Sequence, residues 1–388
     1  MDQHVVFIFF LIFTGGALLA SLALFGRQPL LVAYIALGAL LGPYGLSWVT
    51  DLQFIAQISS IGIVFLLFLL GLDMQPQSLL KVLKQVAHIT LISSLLFGVF
   101  GFAIAYAFNF TLIECAIIGA SMMFSSTIIG IKLLPTTALH HKHSGELMVG
   151  MLLMQDFLAI FVLLILISTS SSESSITSLA TSVVALPALA ACSMFLVRYL
   201  LHPLFNRFDR IGEYIFLLTI GWCLGIAELA EVIGLSKEIG AFIAGISLAT
   251  SPIAQYIALN LKPLRDFFLI LFFFSLGGGF DLSLLATIAV PAVLLAGAML
   301  ALKPTVYRYL LRSHSENNSL SWDLGFRLGQ NSEFSLLIAY MAFSTQLIGN
   351  DASHLIQATA IITFLISSYI VVFNFPNPIA VSERLRRD

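Results

Sequence analysis

Apolar runs long enough to cross a bilayer follow one another along almost the whole chain, and the connectors between them are too short to fold alone. With about 20 apolar residues needed per helical span, the sequence divides into roughly thirteen: 4–25, 29–42, 54–72, 86–108, 112–134, 147–168, 177–201, 213–230, 236–250, 263–279, 284–310, 321–346 and 355–375. The second, eighth and ninth are short, so their ends are soft. Of 388 residues, 59% are hydrophobic and 10% charged, whereas a soluble domain carries about 25% charged residues. The expected fold class is all-α integral membrane, in one transmembrane domain over 1–388. A net charge of −2 argues against a nucleic-acid partner. Cys115, Cys192 and Cys223 stand singly, without disulfide or metal-ligand spacing, and read as packing residues. The first run follows Met1-Asp2-Gln3-His4, which lacks the basic flank of a signal peptide, so it reads as a retained span.

The basic residues test the count. Arg27, Lys81 with Lys84, Lys132 with Lys142, Arg198 with Arg207 and Arg210, Lys262 with Arg265, Arg308 with Arg312, and Arg384, Arg386 and Arg387 all lie at or beyond the ends of odd-numbered spans. Arg327, near the start of the twelfth, falls on the same side, and after even-numbered spans only Lys237 appears. The positive-inside rule then places the N-terminus outside and the C-terminus in the cytoplasm. The Ser-rich stretch 168–178, with Glu173 its one charge, is expected outside as a flexible connector.

Short patterns recur at an offset of about 207 residues, a self-similarity that reports an internal repeat. Phe65–Gly71 falls on Phe272–Gly278 and Phe124-Ser125-Ser126-Thr127 on Asn331-Ser332-Glu333-Phe334; a one-residue slip sets Tyr34-Ile35-Ala36 over Phe242-Ile243-Ala244. Halves displaced by seven spans, an odd number, cross the membrane in opposite senses. The reading is an inverted-topology repeat: repeat one over about 1–168, a linker helix over about 177–201 and repeat two over about 213–375, the plan of many secondary transporters.

Polar residues interrupt the apolar spans at four places. Ser125-Ser126-Thr127 can satisfy backbone groups freed by a break in the fifth span, or simply back-bond within an intact helix. Its mate, Gly329-Gln330-Asn331-Ser332-Glu333, suggests a second break, so that two broken helices cross near one point. Gln155-Asp156 stands inside the apolar run 147–167, where a carboxylate is costly and can hold a proton or a monovalent cation, with Gln155 adding a carbonyl oxygen. The competing view is a structural Asp bound to nearby backbone. Lys303, followed by Pro304, is either a charge partner of Asp156 when no cation is bound or a lysine snorkelling to the interface. At the same offset its mate is Leu96 and that of Asp156 is Thr363, so the charges are asymmetric on a symmetric frame. Glu228 and Glu231 read as interface residues. His140, His141 and His143, with Lys142, read as a solvated loop rather than a pH sensor.

These motifs, with Leu69-Leu70-Gly71-Leu72-Asp73, Gly240–Gly245, Leu271–Phe274, Gly277, Gly278 and Gly329–Phe334, resemble in order the second monovalent cation:proton antiporter family. The nearest likeness is to its glutathione-gated potassium-efflux branch, because sodium-selective relatives commonly carry Asp-Asp or Asn-Asp where this chain has Gln155-Asp156. The resemblance implies a thirteen-helix sodium/proton antiporter-like fold with a dimerisation part and a moving core, a homodimer in a bacterial inner membrane. It implies Asp156 as the ion and proton carrier, Gln155 as a potassium-ligand candidate and Lys303 as the membrane lysine of the eleventh span. It implies no cofactor beyond transported K+ or Na+ and H+, and no resident metal. Two departures stand out: potassium-efflux relatives continue into a nucleotide-binding regulatory domain whereas this sequence stops at Asp388, and their usual Gly-Gln-Gly-Ser-Glu reads Gly329-Gln330-Asn331-Ser332-Glu333 here. Either the sequence is a piece of a longer chain or control by that domain is missing, with a separate regulatory subunit as another source of control.

The expected function is therefore non-enzymatic: exchange of a monovalent cation, K+ before Na+, for H+ by alternating access. The alternatives are a cation channel or a non-transporting membrane sensor on the same scaffold.

Overall fold

The computed structural model describes residues 2–26, 28–49, 52–73, 76–132, 143–170, 176–208, 211–233, 235, 237–314 and 316–376. All regular structure among them is helical: α1 (Asp2–Phe25), α2 (Leu30–Leu41), α3 (Leu52–Asp73), α4 (Pro76–Ala107), α5 (Leu112–Met122), α6 (Thr127–Lys132), α7 (His143–Ser170), α8 (Ile176–Leu196) and α9 (His202–Arg207), then α10 (Gly212–Val232), α11 (Lys237–Ala249), α12 (Ala254–Gly278), α13 (Leu285–Ser313), α14 (Asn318–Arg327), α15 (Glu333–Ser344) and α16 (Asn350–Asn374). A π-helical turn, Val197–Leu201, joins α8 to α9, and a 3-10 turn, Leu282–Leu284, precedes α13.

Each apolar run coincides with a helix or a helix pair, as hydrocarbon requires of backbone that cannot reach water. Among the described residues, seven helices are long and apolar enough to cross a membrane by length and composition. The fifth run splits into α5 and α6 and the twelfth into α14 and α15, so both expected breaks are present. The Ser-rich stretch is shorter as a connector than expected, because α7 runs on to Ser170 and α8 begins at Ile176. Arg27, His140, His141, Lys142, Glu173, Arg210, Arg384, Arg386 and Arg387 lie outside the described residues.

Two bundles share the molecule. In one, α4, α5, α7, α13, α15 and α16 pack around a single apolar cluster that holds Phe97, Met122, Phe124, Met151, Tyr307 and Phe364. In the other, α3 runs between α11 and α12, with α2 against α12 and α10 against α11. This second bundle is knitted by backbone contact at glycines, the close approach that membrane helices favour. A β-carbon on Gly38 would overlap the carbonyl oxygen of Phe274, and one on Gly245 that of Phe68. One on Gly277 would overlap the carbonyl oxygen of Ile35, and one on Gly71 would approach that of Phe242. These four contacts interconvert under one pseudo-two-fold exchange of α2 with α11 and α3 with α12, the relation that the internal repeat leads one to expect. They also correct its register by one residue: Gly71 corresponds to Gly277, not Gly278, and Ile35 to Phe242. Uniformly apolar helices hide such slips.

Because the Gly245 crossing is backbone on backbone, Gly245→Ala should destabilise the protein by about 1–3 kcal/mol, an overpacking cost. Gly221→Ala should be neutral, since nothing lies within 4 Å of a β-carbon there. Thermal unfolding in detergent checks both.

Candidate functional site

The two breaks lie against each other in the first bundle. Local sequence makes them. A capping box of Thr111 and Glu114 starts α5, which stops at Met122, and α6 begins at Thr127 with Ser125 and Ser126 between. Asn317 caps α14, which ends at Arg327 before Gly329, and the Ser332 hydroxyl accepts the Phe334 N–H to start α15. Each interruption leaves backbone donors and acceptors without helical partners, and lipid offers none.

Polar side chains supply them. Ser125 Oγ donates to the Leu328 carbonyl at 2.7 Å, and Gln330 Nε2 to the Ser126 carbonyl at 3.4 Å, so each break partners the other. Asn331 Nδ2 faces Met122 Sδ at 3.1 Å, and Ser335 Oγ donates to the Ser121 carbonyl at 2.5 Å. From α7, Gln155 Oε1 accepts the Ser125 backbone N–H at 2.9 Å. From α16, Thr363 Oγ1 accepts the Asn331 backbone N–H at 3.1 Å and so does for the second break what Gln155 does for the first. Ser367 Oγ donates to Gln330 Oε1 at 2.9 Å.

Lys303, fully buried on α13, donates through Nζ to the Phe124 carbonyl at 2.6 Å and the Gln330 carbonyl at 3.1 Å, one acceptor from each break. The Phe97 ring lies 5.5 Å from the ammonium. Cation donors belong where helix C-termini converge, and Gly325 lets α14 come this close: a β-carbon there would sit 2.8 Å from the Pro304 carbonyl oxygen. Lys303 is thus neither snorkelling nor paired directly with Asp156: among the described residues no ion pair within 4.0 Å joins the two, and the two break carbonyls hold the ammonium instead.

Asp156 is 2% exposed. Its hydrogen-bond partner among the described residues is the Thr127 hydroxyl, at 3.3 Å and 3.4 Å from the two carboxylate oxygens. A carboxylate offers about four acceptor positions, so one long contact leaves most of that capacity for a proton or a cation. Glu333, the first residue of α15, lies close enough to act on Asp156 electrostatically.

The other expected residues separate cleanly. Glu228 and Glu231 are exposed and both pair with Lys237, at 2.7 Å and 3.0 Å. His143 pairs with Glu316 at 2.8 Å. Arg327 is not at the start of a span: it ends α14, buried, with Nε on Asp323 at 2.8 Å and Nη2 on the Pro376 carbonyl at 2.7 Å. Tyr307 escaped the sequence reading. Its hydroxyl accepts from Gln155 Nε2 at 2.5 Å, and its place one turn beyond Lys303 on the same helix face was the available signal. Among the described residues no group of three or more His, Cys, Asp or Glu is gathered to hold a metal ion.

An inverted repeat whose two broken helices cross beside a buried acid defines a fold of the sodium/proton antiporter type. The chain belongs to the family described as sodium/hydrogen exchanger, transmembrane, whose model matches residues 8–374. Among its relatives, K(+) efflux antiporter 4 of Arabidopsis thaliana is 29% identical over 352 residues, covering 87% of this chain and 58% of the relative. Glutathione-regulated potassium-efflux system protein KefC of Klebsiella pneumoniae (strain 342) is 28% identical over 346 residues, covering 87% and 55%. The chain therefore spans just over half the length of these relatives. The solved structure of the sodium proton antiporter MjNhaP1 from Methanocaldococcus jannaschii shares the fold, with a TM-score of 0.73 over 95% of each chain at 18% identity.

Removing the Lys303 ammonium strands two buried carbonyls, so Lys303→Leu should cost about 1–3 kcal/mol for each. A fall in the thermal unfolding midpoint of purified protein, larger than that of Thr305→Ala at an exposed position two residues along the same helix, measures it.

Proposed function

We propose that this chain is the transmembrane part of a secondary antiporter that exchanges a monovalent cation, K+ in preference to Na+, for H+. The observation that carries the proposal is Asp156: a buried carboxylate beside the crossed breaks whose one hydrogen-bond partner among the described residues, Thr127, leaves most of its acceptor positions open. A carboxylate that takes up a proton loses its hold on a cation, so competition at one group is enough to couple the two fluxes. Potassium is favoured over sodium by Gln155, a neutral amide beside the acid, and by the printed names of the potassium-efflux relatives.

In this reading the bundle of α4–α7 and α13–α16 carries the loaded site between faces against the glycine-knitted bundle, as alternating access requires. Ser125, Ser126, Thr127, Gln330, Asn331, Ser332 and Glu333 shape the crossing, and Lys303 balances the converging carbonyl ends and supplies positive charge when Asp156 is ionised and empty. Repeat one over about 1–168 and repeat two over about 213–375 flank the helix that links them. The N-terminus faces outward and the C-terminus the cytoplasm, in a bacterial inner membrane. Two copies associate through the second bundle, and control comes from a nucleotide-binding domain or a separate subunit.

Asp156→Asn should abolish proton movement driven by K+ or Na+ gradients in proteoliposomes, a loss of at least about a hundredfold for a group that carries the substrate itself. Exchange that persists in the variant refutes the assignment, and wild-type K+ flux without proton movement points to a channel.

A further inference from the structure

The Gln155 amide is gripped at both ends. Its carbonyl oxygen must face the Ser125 backbone N–H, because that group can only donate, so the orientation of the amide is fixed by chemistry. Its amine end then donates to Tyr307 Oη. The Ser93 and Ser125 side chains neighbour the Tyr307 hydroxyl. Both serines spend their own protons on carbonyls, Ser93 on Thr90 at 3.0 Å and Ser125 on Leu328 at 2.7 Å, so each is left with lone pairs for Tyr307. The bonds on the amide run one way: the Ser125 N–H to the Gln155 oxygen, and the Gln155 amine to Tyr307. Gln155, Ser93 and Ser125 are 0% exposed, as is Tyr307, whose ring meets Phe97 edge-on at 5.3 Å. An amide held at both ends at this depth resists turning.

We propose that Tyr307 is a positioning residue that sets ion preference. By holding the Gln155 amide against the first break, it keeps the Gln155 oxygen from the transported cation, so Gln155 shapes the site without ligating the ion. Near Asp156 the chain then offers the Asp156 carboxylate and the Thr127 hydroxyl, beside the Glu333 carboxylate that acts on Asp156 electrostatically, with hydration supplying the rest. Pulling the Gln155 oxygen away would strand the Ser125 N–H in the membrane interior, which opposes its recruitment by either ion. A rigid set of this kind discriminates between ions of different radius, while a freed amide would adapt to both. The proposal rests on the antiporter reading above.

Tyr307→Phe keeps the ring and deletes the hydroxyl, releasing the amine end of Gln155. Proton flux in proteoliposomes, measured against K+ and Na+ gradients, reads the effect. The ratio of the KM values for Na+ and K+ should move towards unity by about fivefold, the worth of one neutral hydrogen bond, with the maximal rate kept within about twofold. In a Gln155→Met background the same substitution should leave the ratio unchanged, since the group it positions is gone. Ser93→Ala should shift the ratio in the same direction by a smaller amount, and it keeps the test open if Tyr307→Phe fails to fold. An unchanged ratio in both hydroxyl variants, or a rate loss with the ratio intact, overturns the role and leaves Tyr307 as packing. A shift that persists in the Gln155→Met background overturns it too. Wild-type protein that moves no protons against either gradient refutes the antiporter reading itself, a different outcome from an exchanging wild type with an indifferent Tyr307→Phe.

Discussion

Backbone groups cannot be left unpaired in hydrocarbon, and this molecule breaks two of its membrane helices in the same place. Everything near the crossing answers that constraint. Gln155 and Thr363 each accept a break N–H, Ser125 and Gln330 let each break partner the other, and Lys303 donates to one carbonyl from each. The result is a small polar island in which nearly every side chain is already committed. Asp156 is less so: among the described residues its hydrogen-bond partner is the long Thr127 contact, so it retains the capacity to exchange what it binds.

Symmetry and asymmetry do separate work. The backbone obeys the pseudo-two-fold, most plainly at Gly38, Gly71, Gly245 and Gly277, where paired helices touch through their main chains. Gly38 and Gly245 admit no side chain without displacing a carbonyl, so the crossings resist deformation and suit a bundle that stays still. The ionisable side chains ignore the symmetry. Asp156 and Lys303 have no charged counterparts, and Thr363 takes over the hydrogen-bonding duty of Gln155 without any charge. A frame with two equivalent halves thereby holds one candidate site.

Much of this was legible in the residues. The apolar runs gave the helices, because hydropathy reads burial in lipid, although α4 begins at Pro76 and α12 at Ala254, well ahead of the runs 86–108 and 263–279. The paired polar interruptions gave both breaks, because hydroxyls and amides in such runs need a structural reason. Contact across the site was less legible. Lys303 was expected to face Asp156, since opposite charges suggest a pair, yet converging carbonyls compete for the same ammonium and hold it here. Tyr307 was overlooked because a tyrosine in an apolar helix is unremarked by composition; only its hydroxyl partners distinguish it. The register of the repeat slipped by one residue because apolar side chains in α3 and α12 match almost as well either way.

The central claim is that a proton and a monovalent cation compete for Asp156. Potassium binding to the purified protein, followed by calorimetry across pH, tests it most directly. Competition predicts that on the acid side the apparent Kd weakens by roughly tenfold for each pH unit with about one proton released per ion bound, and that on the alkaline side the Kd levels off as proton release falls to zero. A Kd independent of pH, with no proton released on binding, would contradict the account.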